Sequence, residues 1–125
     1  MVKKKILMVD DEEGVRYTVK NGLELIDDSF EVKTVESGRE CFQELKEEQP
    51  DLILLDINMP EMSGWSVYEK IRDNAGWGKI PIIFLTARTD QEAKKAGRFF
   101  AEAYMEKPVD IKELKKRIDE LIFQD

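Results

Sequence analysis

The sequence predicts an α/β fold, a single-domain (βα)₅ doubly wound sandwich in which helices cover both faces of a five-stranded parallel sheet. Short apolar runs alternate with amphipathic helical patterns five times along the chain. Three of these runs contain almost no polar residue, which is typical of strands buried on both faces. Such alternation requires a parallel sheet with right-handed crossover connections. A length of 125 residues fits one domain, so we predict that residues 1–125 fold together.

The predicted strands are the apolar runs of the sequence. The runs at 6–9, 52–55 and 80–85 are nearly unbroken, and those at 30–35 and, more weakly, 103–105 complete the set. Unbroken runs of this length fit strands that neighbouring helices cover on both sides.

Helical patterns occupy the segments between and after these strands. Apolar residues recur there at the spacing of one helix face. We predict helices at 13–26, 38–48, 63–73, 90–100 and 110–123. Ser37 and Asp110 stand where N-cap residues are expected, and the pattern at 90–100 is the weakest of the five.

The composition excludes several classes of function. A net charge of −7 disfavours direct binding to nucleic acid or to an anionic membrane. Because the chain has no histidine, Ser-His and Cys-His catalysis and histidine-ligated zinc are excluded. The single cysteine, Cys41, can form no internal disulfide and is expected to be a packed small hydrophobe in a reducing cytoplasm. No apolar stretch is long enough for a signal peptide or a membrane span.

Polar side chains follow the predicted strands at the points where the strands end. Asp10 and Asp11 follow the first, Asp56 the third, Thr86 the fourth and Lys107 the fifth. Ligands of open α/β sheets bind outside the carboxyl ends of the strands, where the strand order reverses. We therefore expect these side chains to meet in one crevice.

Three carboxylates that meet at one edge of a sheet repel one another. A divalent cation removes this conflict. A few carboxylate oxygens, with water completing an octahedron, suit Mg²⁺ better than Ca²⁺, and the lack of histidine argues against zinc. The sequence thus predicts a magnesium site built from Asp10, Asp11 and Asp56.

Each of these residues also has an ordinary interpretation. Asp10 or Asp11 could cap the helix after the first strand, and Asp56 could be a loop acid. Thr86 could simply end its strand, and Lys107 could be a solvated charge. The joint pattern at several strand ends favours the shared site.

Four segments together resemble the receiver domain of two-component response regulators. They are "ILMVDDEE", "DLILLDINMPEMSG", "PIIFLTA" and "YMEKP", in the family's order and spacing, and the resemblance covers the whole chain. It implies a flavodoxin-like fold with strand order 2-1-3-4-5. The order would then reverse between the first and third strands, the two that end in aspartates.

The resemblance implies a role for each matching residue. Asp56 matches the phosphoacceptor, and Asp10, Asp11 and Asp56 match the acids that hold Mg²⁺ or Mn²⁺, with Asp11 the more direct ligand of the acid pair. Asn58 would add its backbone carbonyl to the metal. An aspartate can act as a nucleophile, and its phosphorylation needs mainly positioning and charge neutralisation.

Three further residues match the family's response to phosphorylation. Lys107 matches the lysine that pairs with the phosphoryl oxygens, and Thr86 the hydroxyl that reaches toward them. Tyr104 matches the aromatic residue that moves inward with the threonine, and the helix at 90–100, the fifth strand and the last helix would form the switching surface. The Lys107–Pro108 peptide is expected to be cis, as it often is in the family.

The resemblance also implies partners. The phosphoryl donor would be a sensor histidine kinase or a phosphotransfer protein. The phosphorylated domain would control a downstream effector protein, or an output domain from which this domain was excised. We expect a cytoplasmic monomer or weak phosphorylation-dependent dimer, without direct contact with nucleic acid or membrane, and a signalling domain that assists only its own phosphorylation and dephosphorylation.

Some residues depart from the family pattern or qualify it. Phe100 replaces a common glycine, and Phe99 or Phe100 either packs in the core or is exposed for a partner. Arg88 occupies a position that tends to influence the lifetime of the phosphoryl group. Trp77 is expected to anchor a surface loop.

Two other functions fit the sequence less well. A Mg²⁺-dependent phosphatase with an aspartyl nucleophile normally has a second acid where this chain has Asn58, and it needs a cap domain. A flavin or nucleotide carrier on the same fold needs a phosphate loop after the first strand, where "DDEEGV" would repel phosphate.

Overall fold

The structure, a computed structural model, describes residues 3–87 and 103–122. Within these ranges the elements are β1 (Lys4–Val9), α1 (Glu13–Ile26), β2 (Phe30–Val35), α2 (Gly38–Glu47), β3 (Leu52–Asp56), α3 (Gly64–Asp73), β4 (Ile82–Thr86), β5 (Ala103–Glu106) and α4 (Ile111–Ile122). The helix predicted at 90–100 lies outside the described residues, as do Arg88, Phe99 and Phe100.

All strand pairs are parallel, and the sheet has the order β2-β1-β3-β4-β5. Both the α/β fold class and the predicted strand order are confirmed. Because β1 and β3 are direct neighbours with Val9 opposite Leu55, the residues that follow Val9 and Leu55 lie side by side at one edge of the sheet. Strands β2 and β5 form the two outer edges.

The sheet divides the hydrophobic core into two halves because successive side chains of a strand point to opposite faces. In β3, Ile53 and Leu55 pack on the face covered by α2 and α3, whereas Leu52 and Leu54 pack on the face covered by α1 and α4. All five residues of β3 are buried. This strand is therefore a rigid support for the residue at its end.

Side-chain caps fix the starts of three helices. Ser37 accepts a hydrogen bond from the Glu40 N–H, as predicted, and Ser63 caps α3 in the same way. Asp110 accepts from the Glu113 N–H at 3.1 Å, again as predicted. At α1 the N-cap residue is Glu12, and its side chain makes no capping bond, so neither Asp10 nor Asp11 is the N-cap residue of this helix.

One aromatic prediction and one strand boundary can be compared with the structure. Trp77 stacks on Phe42 with ring centroids 6.3 Å apart, which confirms that it anchors its loop. Strand β4 begins at Ile82 and not at Ile80. The Ile80 N–H donates to the Trp77 carbonyl, so this buried residue belongs to the preceding turn.

Cys41 is fully buried, and burial raises the pKa of its thiol to about 12. The thiol is therefore a packed apolar group, as predicted. In the part of the chain that the structure describes, no helix combines the length and the apolar character that crossing a membrane requires.

Candidate functional site

The carboxyl ends of β1, β3 and β5 bring Asp10, Asp56 and Lys107 together. Asp10 and Asp56 are buried, with 0% and 2% of their surface exposed. The Lys107 ammonium lies 2.9 Å from Asp10 Oδ2 and 3.3 Å from Asp56 Oδ1. Residues that are far apart in the sequence thus form one compact charged cluster, as the pattern of strand ends predicts.

Asp11 completes a group of three carboxylates. One oxygen each of Asp10, Asp11 and Asp56 lies within 4.8 Å of the others. Asp11 is exposed and faces solvent beside its two buried neighbours. Asp56 Oδ2 is buried and accepts no hydrogen bond from any described residue. An orphaned buried oxygen in a group of hard oxygen donors fits a magnesium ion or a phosphoryl group.

Burial and charge strongly perturb the pKa values of the cluster. Burial, with the negative charge of Asp10 next in importance, raises the pKa of Asp56 from 3.8 to about 7, although Lys107 opposes this rise. Burial lowers the pKa of Lys107, but its hydrogen bond to Asp10 and the charges of Asp10 and Asp56 outweigh that effect and raise the value to about 12. The site therefore pairs the Lys107 cation with an Asp56 carboxyl group that resists ionisation.

Two residues that the sequence analysis did not single out also contact the cluster. Glu12 places a carboxylate oxygen 3.3 Å from the Lys107 ammonium and donates its N–H to Asp10 Oδ1 at 2.9 Å. Arg16 donates to the Asp10 carbonyl at 2.8 Å. Glu12 is the third acid of "DDEE", so its position next to Asp10 and Asp11 in the sequence could have indicated that it lies at the cluster. The Arg16 side chain, one helical turn later, bonds the backbone carbonyl of Asp10 and not its carboxylate. No pattern of residue types in the sequence indicates such a contact.

The loop between β3 and α3 wraps tightly around Asp56. Asn58 donates its N–H to Asp56 Oδ1 at 3.3 Å, and its side chain is exposed. Gly64 donates its N–H to the Ile57 carbonyl at 2.8 Å. A Cβ on Gly64 would lie 2.3 Å from the Asp56 carbonyl oxygen, so only glycine permits this close approach.

Glu61 is the one non-glycine residue with a positive φ, at 68°, among the described residues. The Met62 N–H donates to the Pro60 carbonyl at 2.7 Å across it, which is the hydrogen bond of a γ-turn. A γ-turn with positive φ is rare and strained. The strain lies in the loop that carries the phosphoacceptor candidate.

Replacing Glu61 by glycine is expected to raise the free energy of unfolding by about 1 kcal/mol, because glycine adopts positive φ without steric cost. Urea unfolding of the two proteins measures the difference. Glu69→Gly, in the exposed middle of α3, is the matched control and should destabilise by about 1 kcal/mol. Equal destabilisation by both substitutions would show that Glu61 is not strained.

The two predicted switch residues, Thr86 and Tyr104, lie in the neighbouring strands β4 and β5. Thr86, at the end of β4, is fully buried, and its hydroxyl donates to the Met105 carbonyl at 3.4 Å, so it is engaged with β5. Tyr104 lies opposite Phe84 in β5 and is half-buried against the core. The Lys107 N–H donates to the Thr86 carbonyl at 2.8 Å, and the Lys107–Pro108 peptide is cis, as expected.

Comparisons with known proteins agree on one family. A model of the "Response regulator receiver domain" matches residues 6–119. The chain is 38% identical over 121 residues to the "Probable transcriptional regulator ycf27" of Cyanophora paradoxa, covering 96% of this chain and 48% of that protein. It is 36% identical to the "Transcriptional regulatory protein PrrA" of Mycobacterium bovis, covering 94% and 49%. The chain thus spans about half the length of these curated relatives.

Solved structures give the same result. A putative response regulator from Chloroflexus aurantiacus superposes with a TM-score of 0.89 at 28% identity, over 98% of this chain and 99% of that one. The chemotaxis protein CheY4 of Vibrio cholerae superposes with a TM-score of 0.84 at 30% identity, over 96% and 99%.

Proposed function

Because the chain belongs to the response regulator receiver domain family, we propose that it is a phosphoacceptor whose Asp56 takes a phosphoryl group from a sensor histidine kinase or a phosphotransfer protein. The family consists of signalling proteins of two-component systems and not of classical enzymes. On this proposal the receiver domain extends over residues 1–125, works in the cytoplasm and assists only its own phosphorylation and dephosphorylation.

The observation that carries the proposal is the environment of Asp56. Its Oδ2 is buried without a hydrogen-bond partner among the described residues, while Lys107 stands 3.3 Å from its Oδ1. The free oxygen can form a bond to phosphorus as the bond between phosphorus and the donor's imidazole nitrogen breaks, and the imidazole then takes up a proton. Lys107 is placed to neutralise charge on the phosphoryl oxygens during the transfer.

The carboxylates fit a magnesium ion, as their donor set and their spacing indicate. Asp10, Asp11 and Asp56 would hold it, with the backbone carbonyl of Asn58 as a further ligand. When bound, Mg²⁺, or Mn²⁺ in its place, supplies positive charge that offsets the repulsion among the acids and the charge of the incoming phosphoryl group.

Phosphorylation would change the conformation of the domain through Thr86 and Tyr104. A phosphoryl group brings about −1.5 to −2 charges and three acceptor oxygens. The Thr86 hydroxyl, now bonded to the Met105 carbonyl, could exchange that weak bond of 3.4 Å for a phosphoryl oxygen. Tyr104 would then move inward and alter the surface formed by the segment 90–100, β5 and α4.

The partner that binds this surface is an effector protein or an output domain. The names of two relatives include transcriptional regulation, and we propose that this chain, or a longer protein that contains it, controls transcription. The receiver domain itself would act by protein contacts, as a monomer or a weak phosphorylation-dependent dimer, and not by touching nucleic acid or membrane.

Incubation with Mg²⁺ and a small acyl phosphate should add the mass of one phosphoryl group to the intact protein. The Asp56→Asn variant should acquire none, because an amide cannot act as the nucleophile. Asp73→Asn, at the exposed end of α3, is the matched control and should be labelled like the parent protein. Chelation of the metal should suppress labelling.

Mass spectrometry of the intact protein and of its peptides provides the readout. If Asp56→Asn is labelled as fully as the parent, the phosphoacceptor is another residue. If no protein is labelled by any acyl phosphate in the presence of Mg²⁺ or Mn²⁺, the chain is not a phosphoacceptor.

A further inference from the structure

Strand β2 forms one outer edge of the sheet, and half of its backbone groups point away from β1. Asp10 donates its N–H to the Val35 carbonyl, so the odd-numbered residues of β2 bond β1. The intervening residues Phe30, Val32 and Thr34 therefore direct both N–H and C=O outward. Open edges of this kind are templates for pairing with another strand.

Two side chains of α1 close this edge at its centre. Glu24 Oε2 accepts the Val32 N–H at 2.9 Å, and the Lys20 ammonium donates to the Val32 carbonyl at 2.5 Å. Lys20 and Glu24 also pair with each other at 3.1 Å. We call these two residues the edge latch. At Thr34 no described residue bonds the outward backbone groups, and a cavity of about 420 Å³ lies beside Val32 and Thr34.

The sequence of β2 is complementary to itself. When two copies run antiparallel about Val32, each Val32 faces the other Val32 as a hydrogen-bonded pair, because its N–H and C=O both point outward. Phe30 then faces Thr34, and because the Phe30 N–H already donates to the Asp27 carbonyl, this pair adds the bond from the Thr34 N–H to the Phe30 carbonyl. Glu31 faces Lys33 twice. Glu31 and Lys33 are exposed, and they would form a close non-hydrogen-bonded pair of opposite charge.

We propose that the β2 edge is a docking strand for a second copy of this chain, and that the edge latch of Lys20 and Glu24 keeps it closed. The charge pattern selects this occupant, because an antiparallel copy brings a cation opposite each acid. Lys33 now pairs with Glu44 of its own chain at 2.9 Å and would turn to the partner's Glu31 when the strands join. The β2 edge and its latch are separate from the proposed phosphoacceptor site. This proposal therefore does not depend on the function proposed for that site.

Opening the latch should produce a dimer. In the variant Lys20→Ala/Glu24→Ala, the Val32 N–H and C=O lose their partners, while alanine preserves α1 because it is the strongest helix former. Sedimentation equilibrium should give an average mass that approaches twice that of the parent protein at the same concentration. A mass equal to that of the parent would overturn the proposal.

Two additional substitutions test whether the association uses this edge. Adding Thr34→Pro removes an outward N–H, which edge strands tolerate, and should return the mass to that of the parent. Adding Glu31→Lys places a lysine opposite the partner's Lys33 and should weaken the association. A dimer that survives both substitutions would use another surface and would contradict the proposal.

Hydrogen exchange provides a readout if the double variant is poorly folded. In Glu24→Ala alone, the Val32 amide should exchange faster than in the parent at low protein concentration. Its exchange should slow as the concentration rises and strands pair. Exchange that is faster but independent of concentration would show that the latch protects a hydrogen bond without closing a docking strand.

Discussion

Replacing Asp56 by asparagine should raise the free energy of unfolding of the metal-free protein by about 2–4 kcal/mol near pH 8. Each pKa unit corresponds to about 1.4 kcal/mol, and the pKa of Asp56 rises from 3.8 to about 7 on folding. Burial and the charge of Asp10 cause this rise, so ionised Asp56 opposes folding. Asparagine keeps a similar shape and carries no charge.

The sign of the pH dependence follows from the same values. Between about pH 4 and pH 7 the folded protein holds a proton on Asp56 that the unfolded chain has lost, so the stability of the parent falls as the pH rises. The penalty is complete above about pH 7 and absent below about pH 4. The stability difference between Asp56→Asn and the parent should therefore grow across this range and then level off.

Urea unfolding at a series of pH values, with chelator present, measures this difference. Added Mg²⁺ should stabilise the parent near pH 8, by about 2.7 kcal/mol at a hundred times its dissociation constant, and should stabilise Asp56→Asn much less. Asp73→Asn serves as the control because its carboxylate is exposed. A stability difference that is the same near pH 4 and pH 8 would show that charge at Asp56 is not the cause.

Gly64→Ala should destabilise the protein by about 3 kcal/mol, at the upper end of what overpacking costs. The new Cβ would lie 2.3 Å from the Asp56 carbonyl oxygen and 2.7 Å from the Ile57 Cα. Both contacts are backbone atoms, which cannot rotate away as a flexible side chain can. The loop after Asp56 must move, so the phosphorylation of Asp56 that we propose should slow as well.

Gly14→Ala is the matched control for this substitution. Gly14 also lies in the first turn of a helix, α1, but a Cβ there meets nothing within 4 Å. Alanine should therefore stabilise the protein by up to about 1 kcal/mol through helix propensity. Thermal and urea unfolding of the two variants compare them directly. Equal stability of Gly64→Ala and the parent would contradict the predicted contact.

The sequence was sufficient for the fold and the cluster because both depend on local patterns. Unbroken apolar runs mark strands covered on both faces, and parallel strands bring their carboxyl ends to one edge. Asp10, Asp56 and Lys107 follow such runs directly, so their meeting could be predicted. The order of the strands required the family resemblance, since apolar periodicity says which segments are strands and not which are neighbours.

Other features depend on geometry that the sequence does not express. The positive φ of Glu61 arises where a loop must turn sharply, and glutamate gives no signal for it. The bonds of Lys20 and Glu24 to Val32 join side chains to a backbone that becomes an edge only once the sheet has formed. Ile80 illustrates the same limit, because its apolar side chain made it resemble a strand residue, whereas its N–H bonds the preceding turn.

The charged residues of the cluster lie at the ends of strands that differ in their position in the sheet. Asp10 and Asp56 extend from β1 and β3, which have a strand on each side, whereas Lys107 follows β5 at the border. Border elements open locally at lower free energy than interior ones. A brief detachment of β5 would leave Asp10 and Asp56 in place and withdraw Lys107, the lysine that pairs with them among the described residues. If the site holds a metal ion or a phosphoryl group as proposed, we therefore expect the opening of β5 to set how fast that group exchanges.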